Sequence, residues 1–303
     1  MHPQSAVLSD GKPFADFVTF TLDNGADFTE FSQRVAAIKQ LIEQVKQQDP
    51  ECDLTWLMAF SDHGWPLLFT HEKPDQLVPF TEMEEAERHF PATAGDILLV
   101  IKSTRMDLNF QIAKGAAQIL AGIATVIEDV QGYSYLKNRD MIDFVDGTEN
   151  PVQEARNSAV LISEGDYQAG CYITVQRYVH NLVKWNKLAV PQQEKVIGRS
   201  KQDDIEMSKA EKPAYAHVNK GKSTDDQGKE IPMYRQNMPY GNAMEHGAYF
   251  IGFAKSPEVV NIALRKMIYA DEQGHYDKLL DYTKAKTGVI FFAPPQSFID
   301  NLS

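Results

Sequence analysis

Little in this sequence declares a function at first sight. Among 303 residues only two are cysteine, Cys52 and Cys171. They lie far apart, each at or near the start of a predicted strand, which argues against a disulfide framework or a thiolate metal cage and favours free thiols in a reducing compartment. No apolar run approaches the roughly 20 residues that a membrane-spanning helix needs. Met1-His2-Pro3-Gln4-Ser5 carries no basic region, apolar stretch or twin arginine, so a cytoplasmic protein without a membrane partner is expected. Basic residues never run together for more than a few positions, and the formal net charge is -12. Phosphate binding needs concentrated Lys and Arg, so nucleic acid is not an expected partner. The spacings HxH, HExxH and Cys/His are missing, which leaves zinc little support. Heptads and low-complexity linkers are absent too, and from the short stretch after the last predicted strand no long docking tail is expected.

What is present is an ordinary globular composition, 43% hydrophobic and 24% charged, enough for one large core or two modest ones. Phe14 to Leu22 alternates as a strand. Phe28, Phe31, Val35, Ile38, Leu41, Ile42 and Val45 then recur at helical spacing through Gln47. Strands follow over Asp53 to Phe60 and Gly95 to Ser103, then a helix over Asp107 to Ile123 and a strand over Thr125 to Tyr133. The second half repeats the plan. It has a strand over Gly170 to His180, a short helix over Asn181 to Leu188, a polar region, a strand over Gly247 to Ser256, a helix over Pro257 to Tyr269 and a strand over Gly288 to Phe292. The segments from Gly95 and from Gly247 match. Each is a glycine, a mostly apolar run, a lysine and a serine, then an amphipathic helix that the serine is placed to cap. The implied unit is β-α-β-β-α-β, the ferredoxin-like pattern, occurring twice. The expected fold is therefore α+β: two antiparallel sheets packed together with helices outside. The halves are 1–150 and 151–303, with the seam near Asn150 to Glu154.

Three segments hold the candidate chemistry. Asp143-Phe144-Val145-Asp146-Gly147-Thr148-Glu149-Asn150-Pro151 sets three acidic side chains in a Gly/Asn/Pro turn beside an apolar pair. Tyr215-Ala216-His217-Val218 lies inside the most polar long stretch, Arg199 to Lys229, a loop-rich insertion of the kind that carries function on a rigid scaffold. Tyr234-Arg235-Gln236-Asn237-Met238-Pro239-Tyr240-Gly241 places an arginine and an asparagine before Pro-Tyr-Gly, which reads as a turn. Of the other histidines, His2, His63, His71, His89 and His275 sit in polar or turn-like contexts. His180 and His246 flank strands, where a satisfied structural role is expected. Taken in this order, the three segments resemble the bacterial class B dye-decolorising peroxidases, across nearly the whole chain.

The resemblance implies a b-type heme (iron protoporphyrin IX) and hydrogen peroxide as oxidant. It also implies dyes, phenols and other small one-electron donors as partners, oxidised through a ferryl heme intermediate. It makes His217 the axial ligand of the heme iron, Asp146 the distal acid-base group, and Arg235 with Asn237 the distal pair. A porphyrin supplies four nitrogens, so a single histidine suffices. Its other ring nitrogen needs an acceptor, and Asp277 and Asp281, on one predicted helix face, both qualify; Asp277 is preferred. Arg199, in Gly198-Arg199-Ser200-Lys201, resembles a family segment near the heme propionates. One departure stands out. Asp143 occupies the position of the family's usual glycine, a place that asks for a left-handed backbone, which Asp enters more readily than most residues. Predicted open sheet edges and the family both suggest a homo-oligomer. The alternative function on the same scaffold is a heme-handling protein that stores, delivers or strips heme, with incidental peroxidase activity.

Overall fold

The computed structural model describes residues 1–302. In the first half, β1 (Phe14–Leu22) leads through α1 (Phe31–Gln48) to β2 (Thr55–Ser61). A short α2 (Gly64–Leu68) and a hairpin of β3 (Met83–Glu85) and β4 (Arg88–Phe90) follow. The half ends with β5 (Ile97–Ser103), α3 (Met106–Leu120) and β6 (Ala124–Tyr133). Its strands lie in the antiparallel order β2-β5-β1-β6, the order a ferredoxin-like unit requires when its two β-α-β arms interleave.

The second half begins with α4 (Gln153–Val160) and β7 (Cys171–His180). Three short helices then bridge to the next strand: α5 (Leu182–Trp185), α6 (Val190–Ile197) and α7 (His217–Lys220). After them come β8 (Tyr234–Gly241), β9 (His246–Ala254) and α8 (Pro257–Ile268). Then β10 (Thr283–Ala285), β11 (Val289–Ala293) and α9 (Gln296–Asp300) close the described chain. β7 pairs with β11 on one side and β9 on the other, and β9 pairs with β8, so the same strand order recurs.

The two sheets face each other and join at both edges, through Phe291↔Ser61 and Phe292↔Phe60 on one side and Gly132↔Tyr240 on the other. Strand alternation then divides the apolar residues between two cores. Phe17, Leu57 and Val100 meet Ile173, Ile251 and Phe253 between the sheets, and Phe17 stacks on Tyr249 across the gap at 4.2 Å between ring centroids. The opposite faces take α1, α3 and α8, with Val35, Ile112 and Leu264 buried beneath them. The tryptophans Trp56, Trp65 and Trp185 are all buried. Both cysteines are buried and free, and burial pushes the Cys171 thiol up.

The two matched segments differ at their serines. Ser256 caps α8, accepting from the Glu258 N–H at 3.3 Å. Ser103 instead stops short of α3: its hydroxyl accepts from the Arg105 N–H at 2.9 Å and donates to Asn109 Oδ1 at 2.7 Å. Tyr234–Gly241 is a strand throughout, where a turn was expected at Pro239-Tyr240-Gly241. Pro239 is tolerated there because β8 meets a second neighbour, β6, only at Tyr240. The seams between the sheets are short, one residue pair of β6 with β8 and two of β11 with β2, so much of the edge of these strands stays unpaired.

Candidate active site

On the outer face of the second sheet, under α6, α7 and α8, lies a cavity of about 1270 Å³ that includes its part open to solvent. Its floor follows from strand alternation. In β8, Tyr234, Met238 and Tyr240 turn to the inter-sheet core, so Arg235 and Asn237, two residues apart, emerge together on the cavity side. Ala248 and Phe250 of β9 and Tyr178 and His180 of β7 continue the same face, while Leu264 and Met267 of α8 form an apolar wall.

The acidic turn closes one end. Arg139 and Val145 form an isolated antiparallel bridge. Behind it Trp185 packs edge-on against Phe144 and donates its indole N–H to the Ile142 carbonyl at 3.2 Å, so the turn is backed by a small apolar cluster. Asp143 adopts φ of 70°, the left-handed backbone expected of it, and Gly147 has φ of 78°. Asn150 pins the turn to β8 by a two-point contact with the main chain of Arg235: its amide donates to the carbonyl at 2.6 Å, and its side-chain oxygen accepts from the N–H at 2.9 Å. Asp146 is thereby brought to the cavity beside Arg235 and Asn237. One of its carboxyl oxygens accepts from the Gly147 N–H at 2.7 Å, while the other, Oδ2, is buried without a partner. Burial, then the nearby Asp140 carboxylate, raises its pKa above the ordinary value, and Asn237 and Arg235 pull the other way.

His217, which also lines the cavity, opens α7. Its Nδ1 lies 2.6 Å from Asp277 Oδ2, and Asp277 is fully buried, its second oxygen held by the Leu279 N–H at 3.0 Å. Burial works to lower the pKa of His217, but the Asp277 carboxylate outweighs it, and the net direction is up. Asp277 and Asp281 do not share a helix face. Asp277 precedes a single 3-10 turn, Lys278–Asp281, and Asp281 turns away to Lys278 and the Tyr276 hydroxyl. Arg199 also lines the cavity, with its guanidinium committed to Asp204 at 2.6 Å and to Glu149 at 3.4 Å.

The profiles of the Dyp-type peroxidase N-terminal and C-terminal domains match residues 4–134 and 137–298. The chain belongs to the Dyp-type peroxidases. Dye-decolorizing peroxidases of Rhodococcus erythropolis and Mycolicibacterium paratuberculosis are 38% and 36% identical to it, over 95% and 97% of this chain and 85% and 84% of theirs. The cryo-EM structure of the encapsulated DyP-type peroxidase from Mycobacterium smegmatis superimposes with a TM-score of 0.94 at 35% identity, covering 99% of this chain and 98% of that one. A variant of Rhodococcus jostii DypB in complex with heme gives 0.93 at 32% identity, with 99% and 98% covered.

Heme is the cofactor of Dyp-type peroxidases, and the residues present fit it. Among the described residues no three His, Cys, Asp or Glu side chains converge to hold a bare metal ion. Of the two histidines lining the cavity, His180 has partners at both ring nitrogens, whereas His217 has Nδ1 bound to a buried carboxylate and so Nε2 left to carry the lone pair of the neutral ring, amid apolar walls suited to a porphyrin. Sequence reasoning missed two parts of the site. Asn150 was read only as a turn residue, although its place in the acidic motif was the available signal. His180 was expected to be structural, yet it lines the cavity in contact with Asp140 and Thr283. Its even-numbered register with Tyr178 on β7 was the one clue.

Proposed function

We propose that this Dyp-type peroxidase reduces hydrogen peroxide with Asp146 as proton carrier, Arg235 and Asn237 as its distal partners, and His217, supported by Asp277, as the axial ligand. One peroxide takes up two electrons and two protons to give two waters, while two donor molecules each lose one electron. Bound heme supplies the redox centre, taking both oxidising equivalents from peroxide and returning them to donors one at a time. The observation that carries the role assignment is the meeting in one cavity of an unpartnered buried acceptor, Asp146 Oδ2, a fixed cation, Arg235, and a carboxylate-bound histidine.

Asp146 Oδ2 accepts the proton of one peroxide oxygen and returns it to the other, which leaves as water. The Arg235 guanidinium supplies a fixed positive charge that stabilises the hydroperoxide anion and the charge that develops as the O–O bond breaks. Asn237 orients the peroxide or an intervening water. Asp277 holds the His217 tautomer and strengthens its Nε2 as a donor. Arg199 offers a charge-assisted partner for a heme propionate, shared with the carboxylates that already surround it. Dyes and phenols are the expected donors, self-association rests on the family resemblance, and the two buried free thiols agree with a reducing cytoplasm. No helix among the described residues is long and apolar enough to cross a membrane. The heme-handling alternative is not favoured, since the similar curated proteins carry the name dye-decolorizing peroxidase.

Stopped-flow absorption of heme-loaded protein with one equivalent of peroxide tests the roles. Asp146→Asn and Arg235→Leu are expected to keep the ferric Soret band but slow its reaction with peroxide by about 100- to 10,000-fold. His217→Ala is expected to lose heme or its normal spectrum. Unchanged rates in both distal variants would reject the proton-transfer assignment, and an unchanged spectrum in His217→Ala would move the ligand elsewhere.

A further inference from the structure

Another acid, the half-buried Asp140, lines the same cavity and has no part in the chemistry above. Asp140 accepts from the Ile142 N–H at 3.0 Å and faces His180 Nε2 at 3.2 Å. An ionised carboxylate only accepts, so His180 donates Nε2–H to it. Nδ1 of the same ring lies 2.8 Å from the Thr283 hydroxyl on β10. Asp140, His180 and Thr283 all line the cavity, and His180 and Thr283 are buried. They are therefore anchored to two strands of the sheet, β7 and β10, at the register Thr283↔His180.

The loop ties this assembly to the distal acid. The Asp140 N–H donates to the Phe144 carbonyl at 2.9 Å and the Asp146 N–H to the Asn138 carbonyl at 3.0 Å, on either side of the Arg139–Val145 bridge. Asp140 and Asp146 thus ride on the two arms of one narrow loop, and both side chains reach the cavity. We propose that Asp140, held by His180 and Thr283, is a positioning residue that places a fixed negative charge beside Asp146 and so sets that carboxyl's affinity for the peroxide proton.

The surrounding charges agree with this division of labour. Asp146 is faced by Arg235 and Asn237 from β8, by His217 from α7, by the Gly147 N–H and by Asp140. Of these, Asp140 is the one that makes a proton on Asp146 more favourable, after burial itself. Asp140 stays ionised although it is equally enclosed. Burial works to raise its pKa, but His180, the Ile142 N–H and His217 together bring it below the ordinary value. The pair resembles two carboxyl groups pushed apart by environment, one kept charged and the other kept ready to take a proton.

The proposal rests on reading Asp146 as the proton carrier, and the test separates the two ideas. The rate of peroxide reaction of the heme-loaded enzyme is followed against pH in wild type, Asp140→Asn and His180→Gln. In parallel, the protonated-carboxyl infrared band of Asp146, identified by its loss in Asp146→Asn, is titrated in each. In Asp140→Asn both the acid limb of the rate profile and the infrared titration should move to lower pH by about one unit. His180→Gln should move them the same way by less, and it decides the matter if Asp140→Asn fails to fold or to hold heme. A band that titrates as in wild type, with heme spectrum intact, overturns the proposal. A band that moves while the rate profile does not would uphold the charge relation and instead overturn the role of Asp146.

Discussion

At the scale of single residues, Asp16 has a pH signature of its own. It is fully buried on the outer face of β1, neither carboxyl oxygen meets a donor, and its titratable neighbour is another acid, Asp129. Burial first, and Asp129 second, raise its pKa from 3.8 to about 8. Below the ordinary value both folded and unfolded chains hold the proton, and the stability this site allows is fully present. As pH rises toward 8 the unfolded chain releases a proton that the folded chain retains, so stability falls across that window. Asp16→Asn should remove the dependence and gain roughly 1–3 kcal/mol near neutral pH. Urea midpoints at pH 5 and pH 8 check it, because the gap between variant and wild type must widen with pH; a constant gap rejects the assignment. At the same scale, Asp146, His217, Arg235 and Asn237 were singled out in sequence because their identities carry their chemistry. Asp140 and His180 escaped because their meaning lies in a contact between residues forty positions apart.

Among the elements, β7 and β9 set the shape of the cavity floor. They approach so closely at Val179↔Gly247 that a Cβ on Gly247 would lie 2.0 Å from the Tyr178 carbonyl oxygen, a backbone atom with nowhere to go. Gly247→Ala should therefore pry the strands apart just where Tyr178 and His180 face the cavity, at a cost of about 1–3 kcal/mol or more. A lowered thermal midpoint together with weaker heme retention is expected; an unaffected melt would mean the strands have slack. Most elements were legible because their apolar residues recur with a helix or strand period. β8 was not. One of its faces lines a cavity and is polar by necessity, and it contains a proline, so neither the alternation nor the propensity of a buried strand shows in Tyr234–Gly241. The 3-10 turn after Asp277 was likewise read as a helix face, since acidic residues four apart fit that period equally well.

For the whole molecule, the two proposed halves, 1–150 and 151–303, share one inter-sheet core and are hydrogen-bonded at both sheet edges. Neither sheet can bury its inner face alone. Burial of each large inner side chain contributes roughly 1.5–3 kcal/mol, so separation of the halves would forfeit most of that stabilisation at once. A single calorimetric transition, with calorimetric and van't Hoff enthalpies equal, is expected for the heme-free protein. Two resolved transitions would show that the halves hold together by less than their contact suggests.

The sequence by itself determined the doubled strand and helix plan, the resemblance to a peroxidase family and the identity of the side chains proposed to react, because periodicity and residue chemistry are local properties. Only the tertiary structure decided which acid supports His217, that Asn150 fastens the acidic turn to β8, and that a second carboxylate stands in the cavity with Asp146. Those outcomes depend on closure of the two sheets and on the side-chain face that each strand register exposes. Register is fixed by pairing with strands distant in the chain, and a shift of one residue would have turned Arg235 and Asn237 into the core.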